Sequence, residues 1–87
     1  MVSASSASSQ PSYLRYPHWP SVGRFVDGVK ALQPLLLLLF GSVAKGDFTQ
    51  HSDADVLAVF AAPTDWLAVY SYSDGRVQPV VKTLLGQ

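Results

Sequence analysis

Residues 40 to 60 read FGSVAKGDFTQHSDADVLAVF, and the fold turns on what the two ends of this stretch do. At the far end, Ala54 to Ala61 is an apolar run whose Val56 and Val59 suit a β-strand. Side chains two residues apart in a strand share a face. Asp53 and Asp55, at the entrance of this one, would therefore stand side by side. Close anions repel unless a cation lies between them. Aspartate oxygens are hard ligands suited to Mg²⁺, which takes its remaining ligands from water and substrate phosphates. Taken alone, Asp-x-Asp is a common pattern, and carboxylates that cap a loop or face solvent explain it as well.

The near end changes that balance. A strand that closes on Gly41 lets the backbone approach a ligand, while the turn after it directs N–H groups and the Ser42 hydroxyl outward, as phosphate oxygens require. Lys45, one turn on, adds positive charge beside the same anion, and Gly46 releases the chain into the loop that leads to Ser52. Each also has an ordinary reading: Lys45 as a surface lysine, and Ser52 as a local backbone partner at the strand entrance. His51 reads as solvent-facing and carries no chemistry.

Working outward, Leu35 to Phe40 is a short apolar run bounded by Pro34 and Gly41, which predicts a strand buried on both faces. Before it, Val22, Phe25, Val26, Val29 and Leu32 recur at helical spacing. Ser21 is placed to cap that helix and Pro34 forbids its continuation, so the pattern predicts a helix over residues 21–32. After the second strand, Thr64 can cap a helix with Trp66, Val69 and Tyr70 on one face, and Ser73-Asp74-Gly75 turns the chain out of it. Val77 to Lys82 is rich in β-formers but contains Pro79, which cannot donate to a ladder and so predicts an edge strand. The expected class is α/β (α+β), a small mixed sheet of three strands with helices packed on it.

Composition sets the frame. The chain has 87 residues, room for one domain with a thin core. Its apolar fraction of 48% is that of a globular protein. The first dozen residues depart from that average: they are small and polar, and residues 1–12 read as a disordered Ser-rich tail ahead of a domain over 13–87. Within the domain, Tyr13 to Pro20 (YLRYPHWP) mixes basic and aromatic residues that could stack on a base; the plainer reading is a lead-in packed on the core. Formal charge balances to zero, so no strong field draws in nucleic acid or an anionic membrane. With no cysteine, disulfides and thiolate chemistry are excluded. The apolar runs are far shorter than the roughly 20 residues a membrane helix needs, and a cytoplasmic location is expected.

Gly-Ser-x-Ala, a basic residue and Gly, followed closely by Ser-Asp-x-Asp and an apolar strand, is a recurrent combination. Here it stands as GSVAKG and then SDADVLAVF. In this the chain resembles the minimal nucleotidyltransferases of the DNA polymerase beta superfamily. The resemblance covers residues 40–60 well, and the order of the flanking elements agrees with it to about residue 82. It implies a nucleoside triphosphate such as ATP, with Mg²⁺ at Asp53 and Asp55 as the catalytic carboxylates. It also implies Gly41, Ser42, Lys45 and Ser52 on the nucleotide, and a hydroxyl acceptor attacking the α-phosphorus. In such sites two metal ions about 3.5 to 4 Å apart activate the attacking oxygen and steady the pyrophosphate.

The family's third carboxylate, on the next strand, aligns with Gln78, whose neutral amide is a weak ligand. Asp74 could replace it, but Ser-Asp-Gly is an ordinary turn. The family also generally continues with a further helix, so either the chain is truncated or a partner completes the core. The resemblance suggests a homo-oligomer or a HEPN-type helical partner encoded as a toxin, with nucleic acid only as a possible acceptor and no membrane. Three functions follow: nucleotidyl transfer; a catalytically impaired partner-binding module such as an antitoxin subunit; or a glycosyltransferase using the same Asp pair. The glycine-serine corner and the short chain count against the last.

Overall fold

The computed structural model describes residues 12–85. The expected tail over 1–12 lies almost wholly outside them. After a 3₁₀ turn at Ser12–Arg15 come helix α1 (Trp19–Lys30), strand β1 (Leu36–Phe40), the short helix α2 (Gly41–Lys45) and strand β2 (Ala54–Phe60). Helix α3 (Trp66–Tyr70) and strand β3 (Val77–Thr83) complete the order. Helix, strand, turn, strand, helix, strand is the order the sequence predicts.

α1 begins earlier than its pattern suggests. Pro20 sits in its first turn, where the missing N–H costs nothing, and Ser21 lies inside the helix instead of capping it. Its apolar stripe of Val22, Phe25 and Val29 is buried. Past Lys30 the chain leaves through Gln33 in the left-handed region, at φ 58°. Pro34 then prevents any return to helix. Thr64 likewise does not cap α3: Asp65 does, its Oδ1 accepting the Leu67 N–H at 3.0 Å, while the Thr64 hydroxyl donates to Ala62 O.

The sheet has order β1-β2-β3, with β1 antiparallel and β3 parallel to β2. α3 lies in the crossover that a parallel pair requires. Ala54, Val56, Ala58 and Phe60 of β2 and Val77 of β3 join Phe25 and Val29 of α1, Val43 of α2 and Val69 of α3 in one core. Helices thus cover one face of the sheet.

The expectation that β1 is buried on both faces is not met. Leu37 and Leu39 pack against the core, but Leu36, Leu38 and Phe40 are exposed. The reason is topological: β1 is an edge strand, and no described helix covers the opposite face. Asp55, Leu57 and Val59 of β2 pair across from those exposed residues, so they share that open face.

Candidate functional site

The candidate site lies on the open face, at the end of the sheet where β2 begins. β1 delivers Phe40 opposite Asp55, and Gly41 then turns the chain into α2. Gly41 is required twice over. Its φ is +80°, and a Cβ there would lie 2.3 Å from Asp55 Oδ2. Only a residue without a side chain lets the carboxylate and the start of α2 share this space. Val43, fully buried, fixes α2 against the core, leaving Ser42 half-buried and Lys45 exposed. Gly46, at φ +85°, ends the helix, and Asp47 N–H donates to Ser42 O at 2.9 Å.

The loop from Asp47 to Ser52 is tightly tied. Ser52 Oγ accepts the Thr49 N–H at 2.9 Å, and Thr49 Oγ1 accepts the His51 N–H at 3.1 Å. Ser52 therefore serves the turn that leads into Asp53, and His51 is exposed as expected. The lead-in clamps this loop from outside. The Tyr16 hydroxyl donates to Ser52 O, and His18 Nε2 donates to Gln50 O at 2.8 Å. Tyr16, only 2% exposed, also meets Phe48 and His18 edge-on with ring centroids 5.4 Å apart. Burial raises its hydroxyl pKa above the usual value, and the negative charge of Asp53 adds to that. The aromatic lead-in is thus a packed element, as its plainer reading holds.

β3 supplies the third side. The register pairs Asp55 with Gln78 and Ala54 with Val77, which brings Arg76 beside Asp53. Gln78 Nε2 donates to Asp53 Oδ2 at 3.2 Å, and Arg76 Nη1 lies 3.7 Å from Asp53 Oδ1. Gln78 is therefore next to the carboxylates, at the position the resemblance gives to the third acid, with its amide N–H turned to Asp53. Arg76 has no counterpart in the sequence reading, because its place beside Asp53 depends on the register of β3 against β2.

Asp74 stands apart from this pair. It accepts from the Ser21 hydroxyl at 2.6 Å, from Arg24 Nη2 at 2.9 Å and from the Arg76 N–H at 3.1 Å. These donors, Ser21 first, hold its carboxyl down at about 2. It is a tie between α1 and the turn before β3.

Asp53 and Asp55 are the two half-buried carboxylates that would hold a divalent cation, with Asp55 Oδ2 filling the space beside Gly41. Among the described residues no group of three or more His, Cys, Asp or Glu converges that could hold a metal ion, so any divalent ion here would rest on two carboxylates and its substrate. A groove of about 780 Å³ between α3 and the far part of β3, lined by Trp66, Tyr70 and Lys82, includes none of these residues. No described helix is long and apolar enough to cross a membrane.

The fold has a counterpart among solved structures. A crystal structure of a candidate nucleotidyltransferase from Sulfolobus solfataricus superposes with a TM-score of 0.64 at 24% identity, covering 84% of this chain and 71% of that one. That likeness shows the fold. No curated protein matches in sequence. The nucleotidyltransferase domain family matches residues 22–85, a span that includes the glycine-serine corner, both aspartates and β3. The chain belongs to the nucleotidyltransferase domain family.

Proposed function

We propose that this domain transfers a nucleoside monophosphate from a nucleoside triphosphate to a hydroxyl acceptor. The observation that supports the reading is the close approach of Gly41 to Asp55, which sets a carboxylate beside the corner where β1 turns into α2. Gly41 and Ser42 would line the polyphosphate, with Lys45 on the exposed end of the same helix adding charge. Ser52 contributes by shaping the turn that presents Asp53. Mg²⁺ held by Asp53 and Asp55 would stabilise the charge that develops on the phosphates.

In the reaction, the acceptor oxygen attacks the α-phosphorus and a new P–O ester forms. The bond from the α-phosphorus to its bridging oxygen breaks, pyrophosphate leaves with that electron pair, and the acceptor proton passes to solvent. The chain's own part is to position the triphosphate and orient it for in-line attack.

Calorimetry with ATP, CTP and GTP, with and without Mg²⁺, tests this on wild type, Asp53→Asn and Asp55→Asn. Metal-dependent binding that both substitutions abolish supports the reading. Binding indifferent to metal and to both substitutions rejects it.

A second reading is favoured by one specific feature, the amide and guanidinium that occupy Asp53 in place of a third acid. In it the domain binds nucleotide weakly and acts through a partner, such as a second copy or a helical toxin of the HEPN type, seated on the exposed face of β1. Nucleotide binding without pyrophosphate release in the presence of that partner would favour it.

A further inference from the structure

Both oxygens of Asp53 already have cationic or N–H partners, one from Arg76 just before β3 and one from Gln78 within it. Arg76 Nη1 lies 3.7 Å from Oδ1, and Gln78 Nε2 donates to Oδ2 at 3.2 Å. The Asp55 carboxylate lies against Gly41. The two carboxylates are thus engaged by different neighbours, one by β3 and one by the corner of α2.

The root of Arg76 is fixed. Its N–H donates to Asp74 Oδ1 at 3.1 Å and its C=O accepts the Ala54 N–H at 2.9 Å, so the backbone is held on both sides of the side chain. The Arg76 side chain is 39% exposed, and its guanidinium has donors left for an anion that arrives beside Asp53. A guanidinium is a permanent cation that binds phosphate oxygens in a fork. An amide beside it adds no negative charge that would offset a further divalent ion.

We infer that Arg76 takes the place of one of the two cations a carboxylate-rich site would hold. The site then loads a single divalent ion, with the Arg76 guanidinium acting directly on the polyphosphate. This rests on the nucleotidyl-transfer reading and goes beyond it by fixing the number of ions and adding a phosphate-binding residue. It has a chemical consequence. A guanidinium steadies phosphate charge as a metal does, but it cannot make an acceptor hydroxyl more acidic by coordinating it. The site should therefore bind triphosphate better than it activates the acceptor, and removing Arg76 should raise the Kd for nucleotide.

Manganese titration followed by electron paramagnetic resonance counts the ions in the presence of α,β-methylene ATP, which cannot be cleaved at the α-phosphorus. Wild type should hold one Mn²⁺ per bound nucleotide. Arg76→Ala should weaken nucleotide binding by about tenfold. Arg76→Lys should recover part of that loss with the ion count unchanged. The double variant Arg76→Ala, Gln78→Glu should take up a second Mn²⁺, seen as spin coupling between the two. Circular dichroism verifies that each variant is folded, and the Lys variant carries the test if the Ala variant is not. Two coupled ions on wild type, or an unchanged Kd in folded Arg76→Ala, would overturn the inference and leave nucleotidyl transfer standing. Absence of both nucleotide and Mn²⁺ binding on wild type would overturn the two together.

Discussion

Gly41 and Asp55 stand so close that a Cβ on the glycine would lie 2.3 Å from the carboxylate Oδ2, and the glycine holds a φ of +80° that other residues rarely adopt. Gly41→Ala should therefore damage the site and the fold by one mechanism. Either the carboxylate shifts or the β1–α2 corner does. The positive φ alone costs about 1–3 kcal/mol. Chemical denaturation should show a loss of that order, and metal-dependent nucleotide binding should disappear. A variant as stable as wild type that still binds nucleotide would show that this close approach is not part of the site.

Asp74 joins α1 to the turn before β3 and should make stability depend on pH in a defined direction. Its folded pKa is lowered from 3.8 to about 2 by the Ser21 hydroxyl, then Arg24 and the Arg76 N–H. A group with a depressed folded pKa contributes stability above its unfolded value. That contribution fades as pH falls from 3.8 through about 2, because the unfolded chain takes up the proton first. Asp74→Asn should melt at a lower temperature than wild type at neutral pH, and the two melting curves should converge near the bottom of that window. A gap that persists there would mean that packing, not ionisation, carries the tie.

Two glycines of α1 should respond oppositely to one substitution. Gly23 has nothing within 4 Å of an added Cβ, so Gly23→Ala should stabilise by about 0.5–1 kcal/mol through backbone entropy and helix propensity. At Gly28 the same methyl would lie 2.2 Å from Tyr72 Cδ1 and 2.5 Å from its Cγ, near the root of the ring, where rotation gives little relief. Gly28→Ala should cost roughly 1–3 kcal/mol. Adding Tyr72→Ala should recover part of that loss, and strict additivity in the double-mutant cycle would show that the ring is not the obstacle.

The sequence exposes the element order and the Asp-x-Asp face because both depend on local period. Val56 and Val59 mark a strand whatever surrounds it, and Asp53 and Asp55 flank its first residue, Ala54. What it hides depends on neighbours. The run Leu36 to Phe40 reads as doubly buried because apolar content says nothing about which strand lies at an edge; topology leaves Leu36, Leu38 and Phe40 open. Ser21 reads as a helix cap, but Pro20 lets α1 start before it and frees its hydroxyl for Asp74, far away in sequence. Arg76 is silent in a motif search because its meaning comes from register with β2. The same holds for Tyr16, whose contact with Ser52 joins segments 36 residues apart.

That last contact gives the most direct handle on how the site is held. Tyr16 is buried, yet its one polar atom reaches out of the core to Ser52 O, the residue before Asp53. Tyr16→Phe keeps the ring packing against Phe48 and removes only the hydroxyl, so the fold should lose about 1 kcal/mol, the net worth of one hydrogen bond. The effect should be local. Backbone amides of residues 49–53 should exchange faster with solvent while those of β2 beyond Ala54 stay protected, since the ladder to β1 and β3 does not involve Tyr16. Because Asp53 is carried on the loosened end, Mg²⁺ affinity should fall together with the loss of protection. If exchange over residues 49–53 is unchanged in Tyr16→Phe, the network of Thr49 and Ser52 holds the loop unaided, and the lead-in contributes to the core but not to the site.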